Sequence, residues 1–324
     1  MAKTIRLLNI DVILNSAGEV IAGSEASSNA ADGYGPSATS VMFGGGYDSS
    51  NKTDTCDMKQ FSSAAYSADH GDLSQTIFLH AAASDGTQVM FGGGLAAAVV
   101  STCEMKQFST DAIAVAHGDL TLARHSPAAG SDGTQVMFAA GYASGRKNTV
   151  DMKQFSTSAI AVDHGDLSIA KQAPAAGSDG TQVMFGGGSP SQYSNTSELK
   201  QFSTDAIAVT HGDLSQGRDS LAAGSDGTQV MFGGGTNGGS NWLLTCDMKQ
   251  FSTAAIAVTH GDLSQGRYSL AAGSDGTQVM FGAGYDGGKA NTCDMKQFST
   301  RANAVDHGDL TLARESLRAA SGTA

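Results

Sequence analysis

The string Met-Lys-Gln-Phe-Ser recurs along the chain with its phenylalanine at Phe61, Phe108, Phe155, Phe202, Phe251 and Phe298, Leu199 replacing Met once. The intervals are 47, 47, 47, 49 and 47 residues. A second string, Val-Met-Phe, keeps step at Phe43, Phe91, Phe138, Phe185, Phe232 and Phe281, and is mostly followed by glycines such as Gly186, Gly187 and Gly188. A third, His-Gly-Asp-Leu, begins at His70, His117, His164, His211, His260 and His307. A period of this length restricts the chain to an array of supersecondary units that bury their apolar faces only against one another.

Within one unit, Ser131-Asp132-Gly133-Thr134 separates two short apolar segments. Asp-Gly between such segments signals a hairpin, because both residues tolerate φ > 0. The first segment is strand a, and strand b runs from Gln135 to Phe138. Strand c is expected at Asp151 to Ser156 and strand d at Ala159 to Val162. Helical repeats would space their apolar residues by three to four, and that spacing is absent. Four short strands in 47 residues fit a propeller blade, with a β-solenoid as the structural alternative. The two ends favour the propeller. The last unit stops at Arg314 to Ala320, a strand a with no strand b after it, while the first begins at Thr39 to Phe43, a strand b with no strand a before it. A ring in which the C-terminal strand completes the first blade satisfies both ends and leaves no open sheet edge. The expected fold is therefore all-β, a closed six-bladed β-propeller of four-stranded blades over residues 36–324, preceded by a short N-terminal β arm over 1–35.

The glycine run after strand b and the arginine before strand a, at Arg124, Arg218, Arg267 and Arg314, resemble the kelch repeat over roughly residues 36–324. Ile77 and Lys171 replace the arginine in two units. The aromatic pair usual on kelch strands c and d is missing in its usual form, and Phe155 with the Ala-Ile-Ala-Val segment takes its place. The chain is more closely similar to the Gly-rich kelch-like repeats carried by tailed bacteriophages. That resemblance implies a virion or tail-appendage component, assembled in the host cytoplasm, and implies no enzyme class. Fold likeness alone is a weak guide to function.

The formal net charge of −12 leaves no basic stripe for phosphates, which disfavours nucleic acid and anionic membrane surfaces as partners. Lys3 and Arg6 precede an apolar stretch, but Asn9 and Asp11 interrupt it, so neither a signal peptide nor a membrane span is expected. Residues with chemical potential are mostly absorbed by the repeat. Twelve of thirteen Phe, eleven of twelve Met and six of eight His stand at equivalent positions, whereas a catalytic site needs unlike groups converging on one spot. Hence no catalytic residues, cofactor or metal are expected. The six repeat histidines could form a metal or pH-sensing ring, but a structural role for each ring nitrogen in turn or inter-blade contacts accounts for them better. The Ser-Asp-Gly-Thr strings are hairpin turns, superficially like a sialidase Asp box. Cys56, Cys103, Cys246 and Cys293 share one register and so stand about a blade apart, on the order of 15 Å at ~4.8 Å per strand. Disulfides need Cα atoms within about 7 Å, so free thiols are expected.

From strand-b Phe to strand-c Phe the spacing is 18, 17, 17, 17, 19 and 17, while from strand-c Phe to the next strand-b Phe it is always 30. Every insertion falls in the b–c loop. Those loops carry Tyr47, Tyr142, Tyr193, Trp242 and Tyr285, the candidate binding residues. Aromatics on variable loops above a rigid scaffold suit glycan or protein contact, and neutral drift in solvent-exposed loops is the competing account. In the arm, Leu8, Ile10, Val12 and Leu14 alternate with Asn9, Asp11, Ile13 and Asn15, a strand pattern, with a turn at Ser16 to Glu19 before Val20. Some 35 residues bury no core of their own. This apolar face is expected to dock on the propeller or on a partner, with β-augmentation into a second subunit the attractive option. The expected function is a non-enzymatic structural or adhesive appendage module, in a homo-oligomer or bound to other virion proteins through the arm, with a cell-surface glycan or protein receptor on the loop face. The alternatives are an intracellular kelch-type adaptor and, third, a propeller glycosidase or lyase.

Overall fold

The computed structural model describes residues 38–238 and 242–323 throughout, and ahead of them the backbone of three strands. Each blade starts from its hairpin. Asp132 Oδ1 accepts from the N–H groups of Thr134 and Gln135 at 2.8 and 2.9 Å, and Ser131 Oγ accepts from the Gly133 N–H at 2.8 Å. Gly133 alone is left-handed there, at φ 83°. The aspartate thus works by capping the loop with its side chain, a detail the Asp-Gly pairing by itself does not specify.

The turn joins strand a, Ala128–Ser131, to strand b, Gln135–Ala139; strand c is Lys147–Gln154 and strand d Val162–Lys171, each antiparallel to the one before. Six such sheets are present, and each strand a touches the next around a closed cycle. Blade 1 combines both ends of the propeller. Its b, c and d strands are Ser40–Gly44, Thr55–Gln60 and Ala68–Asp72, and its strand a is the C-terminal Arg318–Gly322, with Ala320 opposite Met42. Strand a lies at Ala81–Ser84 in blade 2, at Ala128–Ser131 in blade 3 and at Ala175–Ser178 in blade 4. In blades 5 and 6 it is Ala222–Ser225 and Ala271–Ser274. The expected closure and blade count hold, and among the described residues there is no helix.

Two strand assignments are corrected. Strand c begins earlier than Asp151 and ends at Gln154, so Phe155 leads into the turn. Strand d starts only at Val162, and the histidine lies within it rather than at its end. The stretch before it is a connection that crosses to the preceding blade, where the Ala161 N–H donates to the Asp119 carbonyl at 2.8 Å. Ile160 is 66% exposed and Val162 59%. The apolar alternation that suggested a packed strand therefore points largely outward, and only Ala161 of the three turns in.

The core lies between blades. One apolar cluster joins Ala81, Ala83, Met90 and Cys103 of blade 2 to Ala129, Val136 and Phe138 of blade 3, and five others repeat the pattern. The glycine after strand b serves this packing. A Cβ on Gly92 would meet the Phe138 ring at 2.7 Å.

Just before strand a, Leu79, Ser126, Ala173, Ser220, Ser269 and Ser316 all adopt left-handed backbone, with φ between 53° and 58°. Such a conformation costs a non-glycine residue roughly 1–2 kcal/mol. Here it aims each N–H at the carbonyl of the equivalent residue one blade back, at 2.6–3.1 Å, and the sixth bond, from Leu79 to Ser316, closes the circle. An outer circle runs in the same sense, from Ser67, Ala114, Ala161, Ala208, Ala257 and Ala304 to the Asp carbonyls of the preceding strand d, at 2.7–2.9 Å.

The N-terminal strands Lys3–Leu7, Ile10–Leu14 and Val20–Glu25 form a three-stranded antiparallel sheet with Ile10–Leu14 in the centre. Val12 stands opposite Ile5 on one side and Gly23 on the other. The expected strand is present, but it is paired on both sides, so the sheet's edges belong to Lys3–Leu7 and Val20–Glu25. Leu8 and the side chains of Ile10, Val12 and Leu14 lie outside the described residues.

Removing residues 314–324 deletes strand a of blade 1 and a member of the inner hydrogen-bond circle. Its cooperative melting transition should disappear in calorimetry; a transition unchanged from the full chain contradicts closure by this strand.

Candidate binding face

Most side chains with chemical potential hold blades together. Each repeat histidine bonds through Nε2 to the carbonyl that ends strand c of the next blade: His70 to Gln107, His117 to Gln154, His164 to Gln201, His211 to Gln250, His260 to Gln297 and His307 to Gln60, at 2.9–3.2 Å. The inter-blade role inferred from sequence is the one observed. Burial holds the His117, His211, His260 and His307 imidazoles below their usual pKa. Sequence reasoning overlooked the lysines of Met-Lys-Gln-Phe. Lys59, Lys106, Lys153, Lys200, Lys249 and Lys296 are buried, and each Nζ donates to the carbonyl four residues on, at 2.6–3.0 Å.

The arginines before strand a are wholly buried against a strand-c carboxylate. Arg267 and Arg314 lie 2.9 Å from Asp294 and Asp57, Arg124 lies 3.3 Å from Asp151, and Arg218 pairs with Asp247. Where Lys171 replaces arginine, the acid is Glu198, at 2.7 Å; where Ile77 replaces it, the acid is Glu104. In every blade the same carboxylate accepts from the hydroxyl that follows His-Gly-Asp-Leu, as Glu104 does from Ser74 at 2.6 Å and Asp294 from Ser264 at 2.7 Å. The acid therefore ties the exit of one blade to strand c of the next even in blade 2, where no cation among the described residues pairs with it.

What differs between blades collects at one end of the ring. In each blade a b–c loop residue bridges to a residue of the connection leading into strand a: Tyr47 to Glu315, Leu95 to Phe78, Tyr142 to His125, Ser189 to Gln172, Thr236 to Asp219 and Tyr285 to Tyr268. The second residue of each bridge directly precedes a member of the inner hydrogen-bond circle, so the six bridges lie at the end of the ring where that circle runs. The structure brings Trp242 edge-to-face with Tyr285 at 5.5 Å, and Tyr285 against Tyr268 at 5.4 Å. Lys289 Nζ sits 4.2 Å over the Tyr47 ring and 3.9 Å from Glu315, while Tyr47 packs on Phe78 at 5.6 Å. Tyr142 meets His125 at 5.3 Å. Tyr193 is exposed and has Gly238 as its neighbour rather than another ring. The candidate tyrosines thus divide into an arc over blades 5, 6, 1 and 2 and an outlying pair in blades 3 and 4.

Sequence analysis of the b–c loops missed the partners Phe78, His125, Tyr268 and Glu315. The signal lay in the repeat itself, because the residue directly after the arginine position is different in all six units, as Phe78, His125, Gln172, Asp219, Tyr268 and Glu315, while its flanks are Arg and Ser in four of the six. Among the described residues no three His, Cys, Asp or Glu side chains are placed to hold a metal ion. No protein-family model matches the chain, and no curated protein matches it.

Cys56, Cys103, Cys246 and Cys293 are free and buried, and burial pushes each thiol up to about 12. A thiol reagent should therefore find almost nothing to react with in the native protein and four thiols after denaturation without reductant; fewer than four points to a disulfide and a different register. Trp242→Ala loses one edge-to-face contact and is expected to lower stability by at most about 1.5 kcal/mol in chemical denaturation. A loss above about 3 kcal/mol would instead mark the indole as core.

Proposed function

We propose that the chain is a non-enzymatic virion component, a kelch-like propeller of a phage tail or fibre appendage, that presents its b–c loop face to a glycan or protein receptor and assembles through its N-terminal strands. One observation carries this reading. In a ring copied almost without change, diversity is concentrated in the residues at one end, and most of its aromatic share lies along one arc over blades 5, 6, 1 and 2. Aromatic rings held beside polar groups such as Thr236, Lys289 and Glu315 suit a sugar or a peptide surface. The opposite rim supports work within an assembly. Ile113 and Val115, Ile160 and Val162, Ile207 and Val209, and Ile256 and Val258 are all exposed there, and repeated apolar exposure of this kind marks contact with other molecules. An intracellular adaptor would use the same face for a partner peptide. A propeller glycosidase or lyase would need unlike catalytic groups at one point, and the titratable side chains between blades are instead taken up by scaffold contacts.

The test compares sedimentation of the full chain with that of a variant lacking residues 1–33, with circular dichroism to follow the propeller. An oligomer that becomes a folded monomer on deletion supports assembly through the N-terminal strands, and two monomers remove it. The receptor role is read separately, from binding of the labelled protein to bacterial surface polysaccharides and its loss in Trp242→Ala and Tyr285→Ala. Binding that survives both changes takes the loop face out of the reading.

A further inference from the structure

Strand a opens with the same residue in five blades: Ala81, Ala128, Ala175, Ala222 and Ala271, each opposite the residue that follows the strand-b phenylalanine. In blade 1 that position is Arg318, opposite Gly44. These positions line a cavity of about 50 Å³ on the ring axis, at the end that carries the b–c loops, and its other walls are alanine, Pro174, Leu221 and Leu270.

Arg318 is the one charged residue in that lining. Among the described residues its guanidinium donates once, to the carbonyl of its own neighbour Leu317 at 2.7 Å. Among the described residues no carboxylate pairs with it, whereas the arginines between blades each have one. The protein packed around this partly exposed side chain, with no offsetting negative charge, brings its pKa down to about 10. A second departure from the repeat lies at the same boundary between blades 1 and 2. His80 stands where the other blades have Pro127, Pro174, Leu221, Leu270 and Leu317; it is wholly buried, and neither ring nitrogen has a hydrogen-bond partner. Burial and the nearby Arg318 charge push its imidazole down to about 3.

Arg318 stays partly exposed, so its guanidinium opens onto the cavity and is not sealed away from water. A repeat that lines this wall with alanine five times and with arginine once presents one accessible cation, with no carboxylate beside it among the described residues, to an otherwise apolar cavity. We propose that the axial cavity is a binding site for one small oxyanion, taken by the planar fork of Arg318. The fork matches two oxygens of a carboxylate or phosphate. The cavity exceeds the roughly 10–15 Å³ that one water requires, which suits a group the size of acetate or phosphate and excludes a sugar ring or a nucleotide. The oxyanion arrives either free in solution or as the acidic side chain of a partner reaching into the axis. The site does not depend on the receptor reading, and loop variants such as Trp242→Ala should leave it intact.

The experiment titrates the full chain with sodium acetate and with inorganic phosphate at constant ionic strength, chloride making up the balance, and follows heat and Tm. The native protein should show a saturable heat and a rise in Tm with at least one of them. Arg318→Ala restores the residue of the other five blades, so the ring is retained while affinity falls by at least about tenfold, roughly 1.4 kcal/mol. Arg318→Lys keeps the charge without the fork and should fall between the two. Competition of bound acetate by a Glu-rich peptide identifies a partner's side chain as the source, and lack of competition identifies the free anion; both presuppose the site. No saturable response in the native protein, or an equal response in Arg318→Ala, overturns the proposal. Arg318→Lys and the native titration keep it testable should the alanine variant fail to fold.

Discussion

Six backbone hydrogen bonds, each from a left-handed residue to its counterpart one blade back, set the spacing of the inner strands, and that spacing governs what lies outside them. With the strand-a ends held this close, alanine and glycine are nearly all that the axis admits. Blades then diverge outward, so the gaps between them must be filled by progressively larger groups. Phenylalanine and methionine of strands b and c meet the need near the middle, and buried lysine, histidine and arginine meet it further out. The histidines and the strand-c carboxylates find partners across blade boundaries, which makes a single blade a poor folding unit and the ring a cooperative one.

The buried carboxylate of strand c illustrates how far the copying can drift. Aspartate goes with arginine in four blades, and glutamate goes with Lys171 or with Ile77 in the other two. The constant partner is the serine or threonine hydroxyl at the exit of the previous blade. Two charges buried together gain little over a well-packed neutral alternative, so the cation is the replaceable member. The longer glutamate in blade 2 uses its freedom to take the Ser74 N–H and hydroxyl at 2.9 and 2.6 Å and to reach Gln75.

Blade count, closure and strand b were legible because they rest on exact copying and on the unmatched ends of the chain, which no local packing can alter. Strand d was misplaced for a physical reason. Ile160 and Val162 alternate as a core strand does, but the connection to the preceding blade turns them outward. Lys153 stands in a polar string that carries no sign of burial, and only the turn that brings the Thr157 carbonyl back over it makes burial tolerable. On the loop face, length variation pointed to Tyr47, Tyr142, Tyr193, Trp242 and Tyr285, yet it could not show that Tyr268 or Phe78 completes their contacts, because those residues lie far off in sequence and vary in identity without varying in length.

The strand that completes blade 1 uses the same backbone register as the five that are continuous with their own hairpins. Nothing in that pairing records which chain supplied it. Two chains that meet before closure can therefore finish each other's first blade with an identical set of bonds, and the exchange is resisted only by the higher effective concentration of a chain's own end. Crowded refolding consequently favours interlocked dimers, whereas dilute refolding favours single rings. The fidelity of this molecule is in that sense kinetic, held by how soon its two ends find one another.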